Sequence, residues 1–196
     1  DPSGNFVGGA TEQAALTGIQ FTLAEIFLSV VINVELYKAG REAYLEEQAN
    51  RRIKRFVDEN QFGINQSSFD NLEFYVRQLV KRSIDLYLHY SFEDQATSLT
   101  FSGLRRGSYA TRTVYSTGWA AKWNLALPQA DIQDAIYVVK PRKGFAPAGP
   151  TTVPAANDDL NRHLEGGGQQ WQFERGSGGI GTVYGPIPIP EGSRPF

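Results

Sequence analysis

Cysteine and methionine are both absent from the 196 residues, and histidine occurs only twice. Without a thiol the chain can form no disulfide, no thiolate nucleophile and no cysteine-based zinc or iron–sulfur site. Proline is scarce by position: none lies between Ser3 and Leu127, and nine of the ten lie from Pro128 onward. Neither sign of charge is in large excess, since 19 basic and 21 acidic residues leave a formal net charge of -2. Such a balance gives no overall field to hold nucleic acid or an anionic membrane, so any contact of that kind has to be local. Asp1 to Gly9 carry neither the basic nor the apolar stretch of a signal peptide, and none is expected there.

What is present suffices for a core. A hydrophobic content of 41% can fill one ordinary domain with an appendage. From Thr11 to about Asp58, Leu16, Ile19, Leu23, Ile26, Val30, Tyr37 and Tyr44 recur at spacings built from three and four, which marks one face of a helix. Asn33 falls on the same seam, and Phe21, Phe27, Leu28, Val31, Ile32 and Val34 widen it until the segment around Ile26–Leu36 is apolar almost all round. A helix of that kind needs cover on more than one side. A break at Gly63, with Ser67 or Ser68 as cap, leads to a second predicted helix over 69–89 that carries Leu72, Val76, Leu79, Val80, Ile84, Tyr87 and Leu88. The pair is expected to form an antiparallel hairpin over 11–90, after a flexible N-terminus at 1–10.

The period then changes to two. Leu99 and Phe101, the Thr/Tyr/Val-rich run at 108–117, and Trp119, Ala121, Trp123, Leu125 and Leu127 read as strands of a small β-rich segment over 91–143. The stretch 131–140 reads as a helical turn followed by a strand through Ile136 to Val139. From Gly144 to Phe196 the sequence holds 11 of the 20 glycines, which disfavours helix interiors and central strands. This stretch, 144–196, is expected to be an extended arm. Trp171, Phe173, Ile187, Ile189 and Phe196 would be its pegs in a neighbour's groove, with Pro186 to Pro190 as a polyproline-like section.

Candidate chemistry is thin. The pattern at Gly176 to Gly181 matches G-x-G-x-x-G, but Pro186 and the short remaining chain leave no room for the helix that would cradle a pyrophosphate, so a turn is expected. His89 is expected to sit at the C-terminus of the second helix, and Asp158, Asp159, His163 and Glu165 in an exposed turn capped by Asn157 or Asp158. No metal-ligand spacing links them, and no cofactor is expected. Arg51, Arg52, Lys54 and Arg55 are flanked by Glu46, Glu47, Asp58 and Glu59, which reads as an ion-paired surface before it reads as a phosphate track. Over 19–37 the apolar run is interrupted by Glu25, Asn33 and Glu35 and falls short of the roughly 20 residues a membrane span needs.

The sequence therefore points to an α+β chain with a long N-terminal helical hairpin, a small antiparallel β segment and an extended arm. Its expected role is non-enzymatic: a structural subunit of a large oligomeric assembly, such as a tailed-phage virion component in the neck, tail or inner core. Expected partners are copies of itself and other assembly subunits, through Leu23, Ile26, Val30, Val34 and Tyr37 of the first helix and through Trp171, Phe173, Ile187, Ile189 and Phe196 of the arm. The alternatives are a membrane-active channel or ejection protein that inserts residues 19–37, and an assembly protein that contacts nucleic acid.

Overall fold

The structure, a computed structural model, describes the backbone of residues 9–81, 84–179 and 181–195, and the side chains of 34–81, 84–179 and 181–195. It is a mixed α+β chain that divides into two compact units, Asp1–Gln48 and Ala49–Phe196. Helix α1, Gly9–Glu59, is the secondary structure of the first unit, and its last turns belong to the second. The second unit adds α2 (Gln66–Lys81), β1 (Tyr87–Ser91), α3 (Ala96–Ser102), β2 (Ser108–Ala110), α4 (Gly118–Leu125) and β3 (Ala135–Pro141). It ends with β4 (Ala148–Thr152), β5 (Ala156–Asn157), β6 (His163–Leu164), β7 (Gln169–Phe173) and β8 (Gly181–Pro188).

The centre of the second unit is β3, buried along its whole length. It pairs antiparallel with β1 on one side and β8 on the other, which makes the first sheet. Alternate residues of a strand face opposite sides, and here both sides are covered. Ile136 and Val138 join Leu88, Tyr90 and Ile187 in a core closed by the end of α1 (Ala49, Ile53, Phe56) and by α2 (Phe69, Leu72, Val76, Leu79). Ala135, Tyr137 and Val139 join Tyr87, Leu99, Leu104 and Phe173 in a second core on the other face. That second core is completed by the second sheet, β2–β7–β4, and by α3. Edge-to-face contacts of the Tyr87 ring with Trp171 and Phe173, centroids 5.6 and 5.7 Å apart, hold the two sheets together.

Several local expectations are corrected. The second helix stops at Lys81, not His89, and Tyr87 to His89 are strand. Tyr87 and Leu88 suit either period, and here pairing with the buried β3 decides the outcome. The cap of α2 is Asn65, whose Oδ1 accepts from Ser68 N at 2.9 Å, and not Ser67 or Ser68. Leu99 and Phe101 lie in helix α3, with Leu99 buried and Phe101 exposed. Trp119 to Leu125 form helix α4, not a strand. Thr117 Oγ1 accepts from Ala120 N at 3.1 Å, and the first free amides, Gly118 N and Trp119 N, donate to Pro190 O and Glu191 O. The strand through Ile136 to Val139 is present as expected, but the helical turn expected before it is not, since 131–134 form a loop.

The largest correction concerns residues 144–196, which supply five strands and not a free arm. Pro186 and Pro188 are accommodated because β8 is an edge strand, where a missing N–H need not break a ladder. Gly185 stands opposite Tyr137 at a positive φ of 147°, and a Cβ there would come within 2.8 Å of the tyrosine ring. Composition had masked a strand that feeds both cores: Val183 enters the second and Ile187 the first, either side of the register shift between Ile136 and Val138.

Candidate functional site

The expected contact residues separate into two groups. Leu23, Ile26 and Val30 lie in α1, and their side chains, like all of Phe196, are outside the described residues. Every residue from Val34 to Tyr44 is exposed, with Val34 45%, Leu36 65%, Tyr37 72% and Tyr44 62% open to solvent. The arm's pegs lie inside the second unit. Phe173, Ile187 and Ile189 are buried in its cores, and Trp171 is half-buried beside Tyr87, so these side chains fill this chain's own interior.

Continued at its three–four spacing, the α1 seam that runs through Tyr37 and Tyr44 reaches Arg51, Lys54 and Asp58, all exposed. The residues of α1 that enter the core are Ala49, Ile53, Phe56 and Val57, in a different phase. Lys54 pairs with Asp58 at 2.6 Å and Arg55 with Glu59 at 2.8 Å, each one turn apart. These cations are therefore part of a solvated, paired helix face.

A buried ion network is the strongest electrostatic feature, and sequence reading missed it. Lys122 on α4 and Asp158 in the β5–β6 turn are both closed to solvent, with Nζ 3.3 Å from Oδ2. The Lys122 ammonium also donates to the carbonyls of Leu127 and Gln129. Asp158 Oδ2 accepts from Arg162 Nε at 2.6 Å, and its Oδ1 accepts from the backbone amides of Leu160 and Arg162 at 3.0 and 2.8 Å. Asp158 thus caps its turn, as expected, but from a buried position. Burial pushes its carboxyl up, and the Arg162 and Lys122 donors outweigh that, holding it down at about 2. Arg162 lies over the Trp119 ring at 5.1 Å, and Trp123 Nε1 donates to Glu165 at 3.0 Å. This network anchors the β5–β6 turn to α4, which is a structural task.

The histidines are apart. His89 is a strand residue whose Nδ1 lies 2.8 Å from Tyr109 O, and His163 is exposed on β6. Among the described residues no group of three or more His, Asp or Glu side chains is placed to hold a metal ion. Within the glycine-rich segment, 177–179 form a bend and turn. Ser177 is buried, its Oγ accepting from Leu104 N at 2.5 Å, and Gly181 opens a strand and not a helix. Among the described residues no helix is long and apolar enough to cross a membrane.

No protein-family model matches the chain, and neither a curated protein nor a solved structure does so.

Proposed function

We propose that the chain is a non-enzymatic structural subunit, in which the second unit is a self-sufficient head and α1 is the element that joins it to further copies. The observation that carries this reading is the wholly exposed helical run from Val34 to Tyr44. A lone helix has no way to bury its own apolar seam, and most helical stability in proteins comes from such burial. Leu16, Ile19, Leu23, Ile26 and Val30 extend that seam toward the N-terminus at coiled-coil spacing, with Asn33 as the polar position that would fix register. Parallel or antiparallel bundling of α1 from several copies covers the seam, and heads attached to such a bundle suit a large assembly such as a virion neck, tail or inner core.

The test is the mass of the full-length chain by light scattering, with and without lipid vesicles, beside Val30→Asp and Tyr37→Asp. A defined oligomer that both substitutions dissociate supports the reading. A chain that is monomeric at high concentration, or whose oligomer ignores both charges, overturns it, and vesicle binding by a monomer would favour a membrane-active protein.

A further inference from the structure

The chain as a whole carries a formal net charge of -2, but its cations are not evenly spread. Three loops meet at one place on the second unit: 103–107 before β2, 142–147 before β4, and 174–179 after β7. A Cβ on Gly176 would fall 2.5 Å from Leu104 O and 3.1 Å from the backbone of Arg105 and Arg106, so the first and third loops touch. Gly144 to Ala148 and Gln172 to Gly176 wall one cavity of about 310 Å³, which brings the second loop beside the third.

These loops carry Arg105, Arg106, Arg142, Lys143 and Arg175, all exposed, against one acid, Glu174. Elsewhere in the unit cations are matched: Arg77 pairs with Glu73, Arg112 with Asp85 and Arg162 with Asp158. Among the described residues, Arg105, Arg106, Arg142 and Arg175 make no side-chain hydrogen bond or ion pair. Four guanidinium groups without acidic partners, gathered from segments distant in sequence, make a local positive field. Two uncovered rings stand in it. Phe145, 43% exposed, belongs to the second loop. Phe101, 91% exposed, precedes Ser102, whose carbonyl oxygen lies 2.6 Å from where a Cβ on Gly178 would be.

A guanidinium matches a phosphate through paired, parallel hydrogen bonds, and an exposed aromatic ring offers its face to an unpaired base. A single strand crossing the patch meets both. A duplex keeps its bases stacked within and out of reach of the rings. Helix α3 is short and the rest of the patch is loop, so nothing here is shaped to read base edges in a major groove. An anionic bilayer suits the patch less, because it has no amphipathic helix to lie in the interface. We propose that this patch binds single-stranded nucleic acid without sequence preference, with the arginines on phosphates and Phe101 and Phe145 stacked on bases. It uses none of the residues of the α1 seam, so it does not depend on how α1 associates.

The test is fluorescence anisotropy of a labelled oligothymidylate of about 20 nucleotides, titrated with the full chain in whatever assembly it forms. Saturable binding with a Kd of about 10 μM or tighter is expected at about 50 mM salt. Four arginine–phosphate contacts on a single strand give log affinity a slope of about -2.8 against log salt, which is a loss of about 50-fold between about 50 and 200 mM. Arg105→Ala with Arg106→Ala, and Arg142→Ala with Arg175→Ala, should each weaken binding at least about tenfold and flatten the slope by about 1.4. Phe101→Ala with Phe145→Ala should weaken it at least about fivefold and leave the slope unchanged, as loss of stacking requires. All six side chains are exposed, so the variants are expected to fold, which circular dichroism checks; should a pair not fold, its single substitutions replace it. Arg55→Ala with Arg77→Ala, which removes two cations already paired on helices, should leave the slope as it is. Phosphatidylserine vesicles and polyglutamate are titrated at the same concentration of charge, beside the oligonucleotide annealed to its complement. Absence of saturable binding, a slope unaffected by both arginine pairs or an affinity unaffected by the phenylalanine pair overturns the proposal. So does a duplex, a vesicle or polyglutamate that binds as tightly as the single strand.

Discussion

Lys122 Nζ lies 3.3 Å from Asp158 Oδ2, with both side chains closed to solvent, and the pair fastens the β5–β6 turn to α4. Each charge is also hydrogen-bonded to backbone, so neither can lose its partner without leaving a charge stranded in the interior. Lys122→Met and Asp158→Asn are each expected to lower the thermal unfolding midpoint clearly. The double variant should unfold well above the temperature that summing the two single effects gives. A double-variant cycle followed by circular dichroism checks this, and strictly additive losses would show that the two side chains do not act as a unit.

The same pair sets an acid limit. Asp158 titrates at about 2 in the folded chain against 3.8 for a free aspartate, so the folded state holds fewer protons than the unfolded one between those values. The stabilisation is complete above about pH 4 and is lost as pH falls toward about 2. Denaturant midpoints of the parent chain and Asp158→Asn should differ by a constant amount from pH 7 to 5, and the gap should close between pH 4 and 2. A gap that persists unchanged at pH 2 would assign the effect to packing.

Helix α4 is held against its surroundings by the absence of a side chain. A Cβ on Gly118 would fall 2.1 Å from Gln133 O and 2.6 Å from Ile132 Cγ2, and the first of these is backbone that cannot swing aside. Gly118→Ala is therefore expected to destabilise the head by about 1–3 kcal/mol through overpacking, even though alanine favours helix. Chemical denaturation measures it directly. A neutral or stabilising result would mean that the loop over 131–134 yields freely.

How far the sequence could be read follows from where its signals were local. The run of three–four spacings gave α1, and the β-branched cluster at Val138 and Val139 gave the central strand, because periodicity and propensity agreed there. In α4, Trp119, Ala121, Trp123 and Leu125 alternate like a strand, yet Thr117 was an available cap and no β-branched residue occurs from Gly118 to Leu127; that pairing of signals could have identified the helix. Lys122 and Asp158 look like surface charges, and only the fold brings them together.

Residues 144–196 were expected to be an extended arm, and their placement reverses that expectation. They supply β8 to the first sheet and β4 and β7 to the second, and Pro190 and Glu191 accept from the amides that start α4. Ile187 is fully buried against Ile136, and Phe173 is 2% exposed in the second core. Deletion after Gly144 should therefore leave a chain without a cooperative unfolding transition, and not a folded head that fails to assemble. The point substitutions are the finer measure. Ile187→Ala should cost about 2–5 kcal/mol and Phe173→Ala about 3–5 kcal/mol, the range for emptying a packed site. If assembly were lost while the unfolding free energy of both variants matched the parent, these side chains would be acting on another chain, as contacts between subunits. The expected order is the opposite: stability falls first, and any loss of assembly follows from it.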